Sequence, residues 1–452
     1  MLRKIKSLFG PDHPLRMFIH RTKARLACLI YRWPSHQMTI IGVTGTNGKT
    51  TTVSLTSKIL EKAGYTVGMA STINFKIGKK EWQNKTHKTT LGPFQMQKLL
   101  RRMLKAGCTH VVIETSSHAL AQHRVAGIAY DVVCFTNVTP EHLDYHRSMK
   151  AYRMEKGKLF DRLMKGKKKK NIEKISILNA DDADNYEYFS QFPADKKISY
   201  GIRKAPDATL FAHVSATDIE LKADQTNLNL VTPEESGKVK LFLPGEFNIE
   251  NLLAAATIGY SMGAKVEAVR EACTEVKLIP GRMEPIEEGQ DFTVYVDFAM
   301  TEDGYEKLLK TLRKTTKGKI WVVFGCCGDR DRKKRPVIGE ICGEMADKVV
   351  VCDDEPYTED PKLIREMILD GLHNTEMKRN TDFWEIPDRA EAIEFACQNA
   401  QAGDTVVIPG MGDFEGRTFA DGIHPWNERE EVRNVLHKLQ GLVAQDTNKT
   451  LN

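Results

Sequence analysis

Apolar residues along this chain recur in two rhythms. Short β-branched runs of four to six positions alternate with longer stretches spaced three and four apart, which predicts strands alternating with helices. The first run, 38–43 (MTIIGV), ends in glycine-rich sequence and reads as a buried strand. Val53, Leu55, Ile59 and Leu60 then repeat at helical spacing over 51–63, and Gly64 stops them. Further strand-like runs at 66–70, 110–114, 132–136 and 175–179 are separated by helical stretches. That alternation predicts a parallel sheet covered on both faces. From about 210 to 243 the pattern changes to short alternating strands, including 228–231 and 239–243. A helix follows Pro244-Gly245, carrying Asn248, Asn251 and the small residues 254–256. A second α/β unit starts after Pro280-Gly281-Arg282, with strands at 293–297, 320–324, 348–352 and 405–408. Each ends in a loop rich in Gly, Asp or Pro, where open parallel sheets bind ligands. The reading is α/β: a P-loop ATPase domain with a parallel sheet (39–281), a C-terminal Rossmann-like domain (282–452) and a short basic amphipathic segment (1–38).

Composition narrows the class without naming a chemistry. A length of 452 residues, 41% hydrophobic and 28% charged, is ordinary for a soluble multidomain protein, and the net charge of +6 is mild. The run 165–170 (KGKKKK) reads as a solvated loop rather than a nucleic-acid patch, and no nucleic-acid partner is expected. Nine cysteines stand singly apart from Cys326-Cys327, without CxxC pairs, which argues against a disulfide framework or structural zinc and for a reducing cytoplasm. The first 32 residues hold eight Lys or Arg against one Asp. Met17, Phe18, Ile19, Leu26, Leu29 and Ile30 alternate there with Arg16, Arg21, Lys23 and Arg25, which leaves two readings. A helix packing its apolar side on the body is preferred over one lying in a membrane interface.

The chemistry starts at 43–52, VTGTNGKTTT. Gly45, Thr46, Asn47, Gly48, Lys49, Thr50 and Thr51 follow a strand and open a helix. Backbone N–H groups can therefore cradle phosphates, Lys49 can reach the terminal phosphates, and the Thr50 hydroxyl can ligate Mg²⁺. Val43 stands where the strict motif has its first glycine. Glu114 closes a buried strand in VVIETSSHA, and His142 lies in the polar loop of FTNVTPEHLDYH; together they are candidates for a second Mg²⁺.

With those residues in view, the chain resembles the Mur ligase family, most closely the MurE type. The resemblance runs from about 39 to 435 through TGTNGKTTT, ETSSHALAQHRV, FTNVTPEHLDYH, YRMEKGKLF, GEFNIENLLAA, PGRMEPI, GCCGDRDRKKRP and GDTVVIPGMG. It implies an ATP-dependent ligase of peptidoglycan-precursor synthesis. Such an enzyme activates a muramoyl-dipeptide carboxylate as an acyl phosphate and joins it to the amino group of a third amino acid. By resemblance, Lys49, Glu114, His142 and Lys156 are catalytic, and Thr50, Glu114, His142 and a CO₂-carbamylated Lys156 hold two Mg²⁺ ions. Asn251 contacts the nucleotide base; Thr89, Thr90, Ser116, Gln122 and Arg124 contact the muramoyl peptide. Arg330, Asp354, Glu355, Pro356, Tyr357 and Gly410 form the amino-acid site.

Three departures stand out. Only about 38 residues precede the P-loop strand, so the usual UDP-gripping domain is expected to be absent, and the carrier is UDP or a lipid, with peripheral membrane contact through the N-terminal segment. DEPY (354–357) stands where DNPR serves meso-diaminopimelate, and Phe414 where a glutamate meets its distal ammonium. Both changes point to a different nucleophile. Met300 replaces a histidine of the C-terminal domain. A cytoplasmic monomer is expected. A folylpolyglutamate- or cyanophycin-type ligase and a non-catalytic relative are the competing readings.

Overall fold

The computed structural model describes residues 13–86, 88–202, 212–222 and 225–441. The chain forms two compact units, Met1–Lys277 and Leu278–Asn452. In the first, the predicted strands pair as a parallel sheet. β1 (Thr39–Thr44) is buried at every position and lies between β5 (His110–Glu114) and β6 (Val132–Phe135). β2 (Val67–Ala70) extends the sheet beyond β5, followed by the antiparallel β3 (Asn74–Ile77) and β4 (Lys80–Gln83). On the other side β7 (Ile175–Asn179), β8 (Lys196–Tyr200) and β9 (Ala212–Leu221) continue in parallel, and β10 (Thr226–Val231) and β11 (Ser236–Leu241) follow antiparallel, eleven strands in one sheet among the described residues. The start of the predicted 210–243 segment lies outside the described residues, as do residues 1–12.

The order places the ends of β1, β5 and β6, which run parallel as central neighbours, along one edge of the sheet. The core beneath is built from Ile40, Val111, Val133, Tyr152, Leu159 and Phe189 among others, nearly all fully buried. Gly42 is required on β1 because Tyr130 fills the space of a side chain: a Cβ there would come within 2.7 Å of its ring.

In the second unit a parallel sheet runs β13 (Thr293–Val296), β17 (Thr405–Ile408), β14 (Ile320–Phe324), β15 (Lys348–Val351) and β16 (Phe383–Glu385). The two-residue β12 (Glu284–Pro285) flanks it antiparallel, and a separate hairpin pairs β18 (Glu415–Phe419) with β19 (Gly422–Asn427). All nine cysteines are free and buried. Among the described residues no helix is long and apolar enough to cross a membrane.

Two expectations fail here. The apolar side formed by Phe18, Ile19, Leu26, Leu29 and Ile30 on the helix Pro14–Tyr31 is exposed, and the small Ala24, Ala27 and Cys28 pack on the body instead. The KGKKKK run is not simply a solvated loop, because Lys169 is buried. Its ammonium donates to the Met38 and Ala129 carbonyls at 2.6 and 3.0 Å and pairs with Asp131. Lys174 donates to the other Asp131 oxygen at 3.0 Å, and Asp131 also accepts from the Ile40 N–H at 2.8 Å. This triad clamps the starts of β1, β6 and β7. Asp131→Ala strands two buried ammonium groups and is expected to cost about 3–5 kcal/mol. Urea denaturation followed by circular dichroism checks this, and adding Lys169→Met and Lys174→Met should recover most of the loss.

Candidate active site

The phosphate loop forms because Gly48 takes φ +81°, turning the chain from β1 into the helix Lys49–Lys62. Its backbone is pinned from the loop after β6. The Thr46 N–H donates to the Asn137 carbonyl at 2.8 Å and the Asn47 N–H to the Asn137 side chain at 2.9 Å. Thr136 Oγ1 donates to the Asn47 carbonyl at 2.6 Å. Lys49 folds back on its own loop, donating to the Gly45 and Thr46 carbonyls at 3.1 and 2.7 Å. Asn251 is brought to the same place: a Cβ on Gly48 would lie 2.0 Å from its Oδ1, and its amide donates to Asn248 at 3.0 Å. Thr50 and Thr51 are buried in the first turn of the helix.

Glu114 sits where β5 ends, 1% exposed. Its carboxylate accepts from Thr50 Oγ1 at 3.1 Å, from the Thr72 N–H at 2.8 Å and from Thr72 Oγ1 at 2.9 Å. Its backbone carbonyl accepts from Thr90 Oγ1 at 2.9 Å. Thr90 continues outward, accepting from the Ser116 N–H at 3.0 Å, while its carbonyl takes Arg124 Nη1 at 3.1 Å. Arg124 also grips Gln122 Oε1 with Nε and Nη2, at 3.0 and 2.6 Å. Thr90, Ser116, Gln122 and Arg124 thus form one connected group beside the phosphate loop, with half-buried Thr89 next in the chain.

Lys156, on the helix Met149–Lys165, is 1% exposed and donates to the Gly45 carbonyl at 2.6 Å. Burial, reinforced by the charge of Lys49, holds its ammonium well below the usual lysine range. His142 takes φ +55° at the start of the short helix Leu143–His146; its Nε2 lies 3.4 Å from Glu141, and its ring meets His118 edge-on at 4.5 Å. His118 and His146 are pushed down to about 3 and about 4, chiefly by burial and then by His142 (for His118) and His142 with Lys156 (for His146). Among the described residues no group of three or more His, Cys, Asp or Glu stands close enough to hold a metal by itself. Thr72 and the packing of His118 against His142 and His146 escaped sequence reading, whereas Asn137 and His146 stand in the polar loop that the sequence already marks.

In the second unit the loops after β14 and β15 meet. Arg330 Nη2 donates to the Tyr357 hydroxyl at 3.2 Å and its guanidinium lies 4.7 Å from the centre of that ring. Glu355 accepts from the Thr418 N–H and hydroxyl at 3.0 and 2.7 Å. The Glu355 carbonyl, next to Pro356, accepts from the Gly328 N–H at 2.8 Å. Gly410 passes so close to Asp354 that a Cβ would stand 3.0 Å from Oδ2. Phe414 packs edge-on against Phe298 at 5.0 Å, and Arg282 lies over that ring at 4.2 Å. Buried Arg389 and Glu428 form a bidentate pair nearby, and Arg417 donates to the Asp354 carbonyl at 3.0 and 2.9 Å.

Two tests follow from this geometry. Gly48→Ala forces a side chain into strained backbone and against Asn251, at roughly 1–3 kcal/mol of strain alone. Nucleotide affinity by calorimetry is expected to fall roughly tenfold or more, with the far-ultraviolet spectrum retained. Burial, opposed mainly by Arg389, raises the Asp354 carboxyl to about 6. Since this lies above the unfolded value of about 3.9, the folded state holds the proton more tightly. The stability this group contributes is complete below about pH 4 and is lost as pH rises through the folded value. Asp354→Asn is expected to flatten that part of the denaturation-midpoint profile.

Comparison with known proteins agrees with this layout. Residues 43–259 match the Mur ligase middle domain and 281–412 the Mur ligase, glutamate ligase domain. A UDP-N-acetylmuramyl-tripeptide synthetase of Roseiflexus sp. is 39% identical over 92% of this chain and 82% of its own. A UDP-N-acetylmuramoyl-L-alanyl-D-glutamate--2,6-diaminopimelate ligase of Geobacillus kaustophilus is 38% identical over 92% of this chain and 82% of its own. Among solved structures, a MurF ligase from Thermotoga maritima in complex with ADP aligns with a TM-score of 0.66 at 16% identity, over 95% of this chain and 85% of its own, a likeness of fold. The chain therefore belongs to the Mur ligase family, as an ATP-dependent amide ligase of peptidoglycan-precursor assembly.

Proposed function

We propose that this ligase activates the terminal carboxylate of a muramoyl-dipeptide as an acyl phosphate and joins it to a third amino acid other than meso-diaminopimelate. The observation that carries the reading is the double engagement of Glu114. Its carboxylate binds Thr50 of the phosphate loop, while its carbonyl binds Thr90 of the Ser116–Gln122–Arg124 group. The nucleotide end and the acceptor end are thereby set from one residue. Arg124, steadied through Nε and Nη2 by Gln122 and through Nη1 by Thr90, keeps further guanidinium N–H groups for a carboxylate on the acceptor.

Lys49 and the loop N–H groups would hold the ATP phosphates, with Asn251 at the base. The Thr50 hydroxyl and Glu114 carboxylate, already 3.1 Å apart, are hard oxygen donors that fit Mg²⁺, with His142 completing a second ion's set. Bound there, Mg²⁺ would offset the charge of the transferring phosphoryl group. The depressed basicity of Lys156 favours its neutral amine, the form that adds CO₂, and the carbamate would supply the second ion with an anionic oxygen ligand.

In the second unit, Arg330 would take the α-carboxylate of the incoming amino acid, with Asp354, Glu355, Pro356, Tyr357 and Gly410 around it. Tyr357 and Phe414 offer neither the cation nor the anion that meso-diaminopimelate's distal carboxylate and ammonium require, and leaving such groups unpaired when buried is costly. The carrier is UDP or a lipid, and the working form a cytoplasmic monomer.

The test combines the protein, ATP, Mg²⁺, UDP-linked muramoyl-dipeptide and pooled amino acids, reading phosphate release and product mass. A single adduct other than meso-diaminopimelate is expected; strict preference for meso-diaminopimelate overturns the specificity reading. Lys156→Ala should lower turnover by about a hundredfold or more, with partial rescue by short carboxylates.

A further inference from the structure

The helix Pro14–Tyr31 has two apolar faces, and among the described residues only one is buried. Ala24, Ala27 and Cys28 are buried against the body. Cys28 Sγ donates to the Ala126 carbonyl at 3.6 Å and fills the space beside Gly127, where a Cβ would come within 2.3 Å of it. Small side chains bring this face close. Arg32 ends the helix in the left-handed region, its N–H bonding back to Cys28 and Leu29.

The opposite face is built differently. At about 100° per residue, Leu15, Phe18, Ile19, Leu26, Leu29 and Ile30 fall within an arc of about 120°. They are 38–66% exposed and are six of the fifteen exposed large apolar side chains among the described residues. Lys23 flanks this stripe on one side and Arg25 on the other, both exposed, with exposed Arg32 at its end. The helix contains no Asp or Glu.

We propose that this outer face seats the protein on a membrane surface containing anionic lipid. A broad apolar stripe between rows of cations matches the boundary between acyl chains and negatively charged headgroups, where both components gain. The same charge pattern disfavours the other occupants. A second copy meeting this face about a two-fold axis would bring like-charged rows together. Residues 1–12 carry Arg3, Lys4 and Lys6 against Asp12 and share the sign of the rim. The seat is independent of which carrier holds the muramoyl peptide, so it stands or falls apart from the proposed reaction.

Co-sedimentation of the full chain with vesicles tests it, comparing phosphatidylcholine alone with phosphatidylcholine mixed with phosphatidylglycerol. Binding to the mixed vesicles, weakened by salt, is expected. Leu26→Gln with Leu29→Gln should weaken it roughly tenfold or more, and each of Lys23→Glu and Arg25→Glu roughly fivefold or more. All four side chains are exposed, so thermal melting and ATP hydrolysis should be preserved in these variants. Failure to bind the mixed vesicles, or equal binding to both kinds that ignores the substitutions, overturns the proposal. So does a dimer in light scattering that disappears with Leu26→Gln and Leu29→Gln, which would assign the face to a second copy.

Discussion

The carboxylate of Glu114 is the constraint around which the first unit is arranged. Burying an ionised carboxyl costs several kcal/mol unless donors replace the lost water. Here Thr50 and Thr72 supply three of them, from the phosphate-loop helix and from the turn after β2. Satisfying one buried charge therefore fixes the neighbours of β5 on both sides relative to its end. Thr90 is then fixed through the backbone of the same residue, and Ser116 and Arg124 through Thr90. A packing requirement and a positioning requirement are met by the same hydrogen bonds.

The opposite end of these strands is also charged, for a different reason. Asp131 with Lys169 and Lys174 lies where β6 and β7 begin, and the two ammonium groups donate to its carboxylate and to backbone carbonyls. That cluster is closed. Its polar atoms face other strand starts, and it locks the sheet's alignment without offering a ligand anything. The other edge differs because Lys49 donates to carbonyls of its own loop, which are weak substitutes for a phosphate. Strand direction thus separates holding from binding within one sheet.

Local features were legible in the sequence, and long-range partnerships were not. The phosphate loop could be read because glycine, lysine and threonine act within a few residues of one another. Most parallel strands of both sheets could be read from apolar runs, while β3, β4, β8, β12 and β16 could not. Thr72 could not, since nothing in its neighbourhood signals a carboxylate 42 residues further on. Lys169 was misread for the same reason: five charges in six residues look solvated until Asp131, 38 residues earlier, is folded against one of them. Thr89, Thr90, Ser116, Gln122 and Arg124 came from resemblance alone, because a lone Thr or Gln carries no chemistry in its spacing. The helix Pro14–Tyr31 was half legible. Its amphipathic pattern suggested one apolar side, whereas the alanines and Cys28 make a second, and only the fold shows which of them is covered.

In the second unit the loop after β15 is held mainly through its backbone. Arg417 holds the Asp354 carbonyl, Thr418 holds the Glu355 carboxylate, and the Tyr357 N–H bonds to the Thr418 carbonyl. The loop is therefore fixed largely through backbone atoms and Glu355. The Tyr357 hydroxyl adds a long contact to Glu355 at 3.5 Å, and its ring lies under Arg330, where a second guanidinium would meet like charge instead of an aromatic face. At Phe414 the packing is likewise aromatic, against Phe298 beneath Arg282. A carboxylate at that position would leave Phe298 without its edge-on partner. Tyr357 and Phe414 are thus each held by an aromatic or cationic neighbour, and this packing is what the proposed choice of nucleophile rests on.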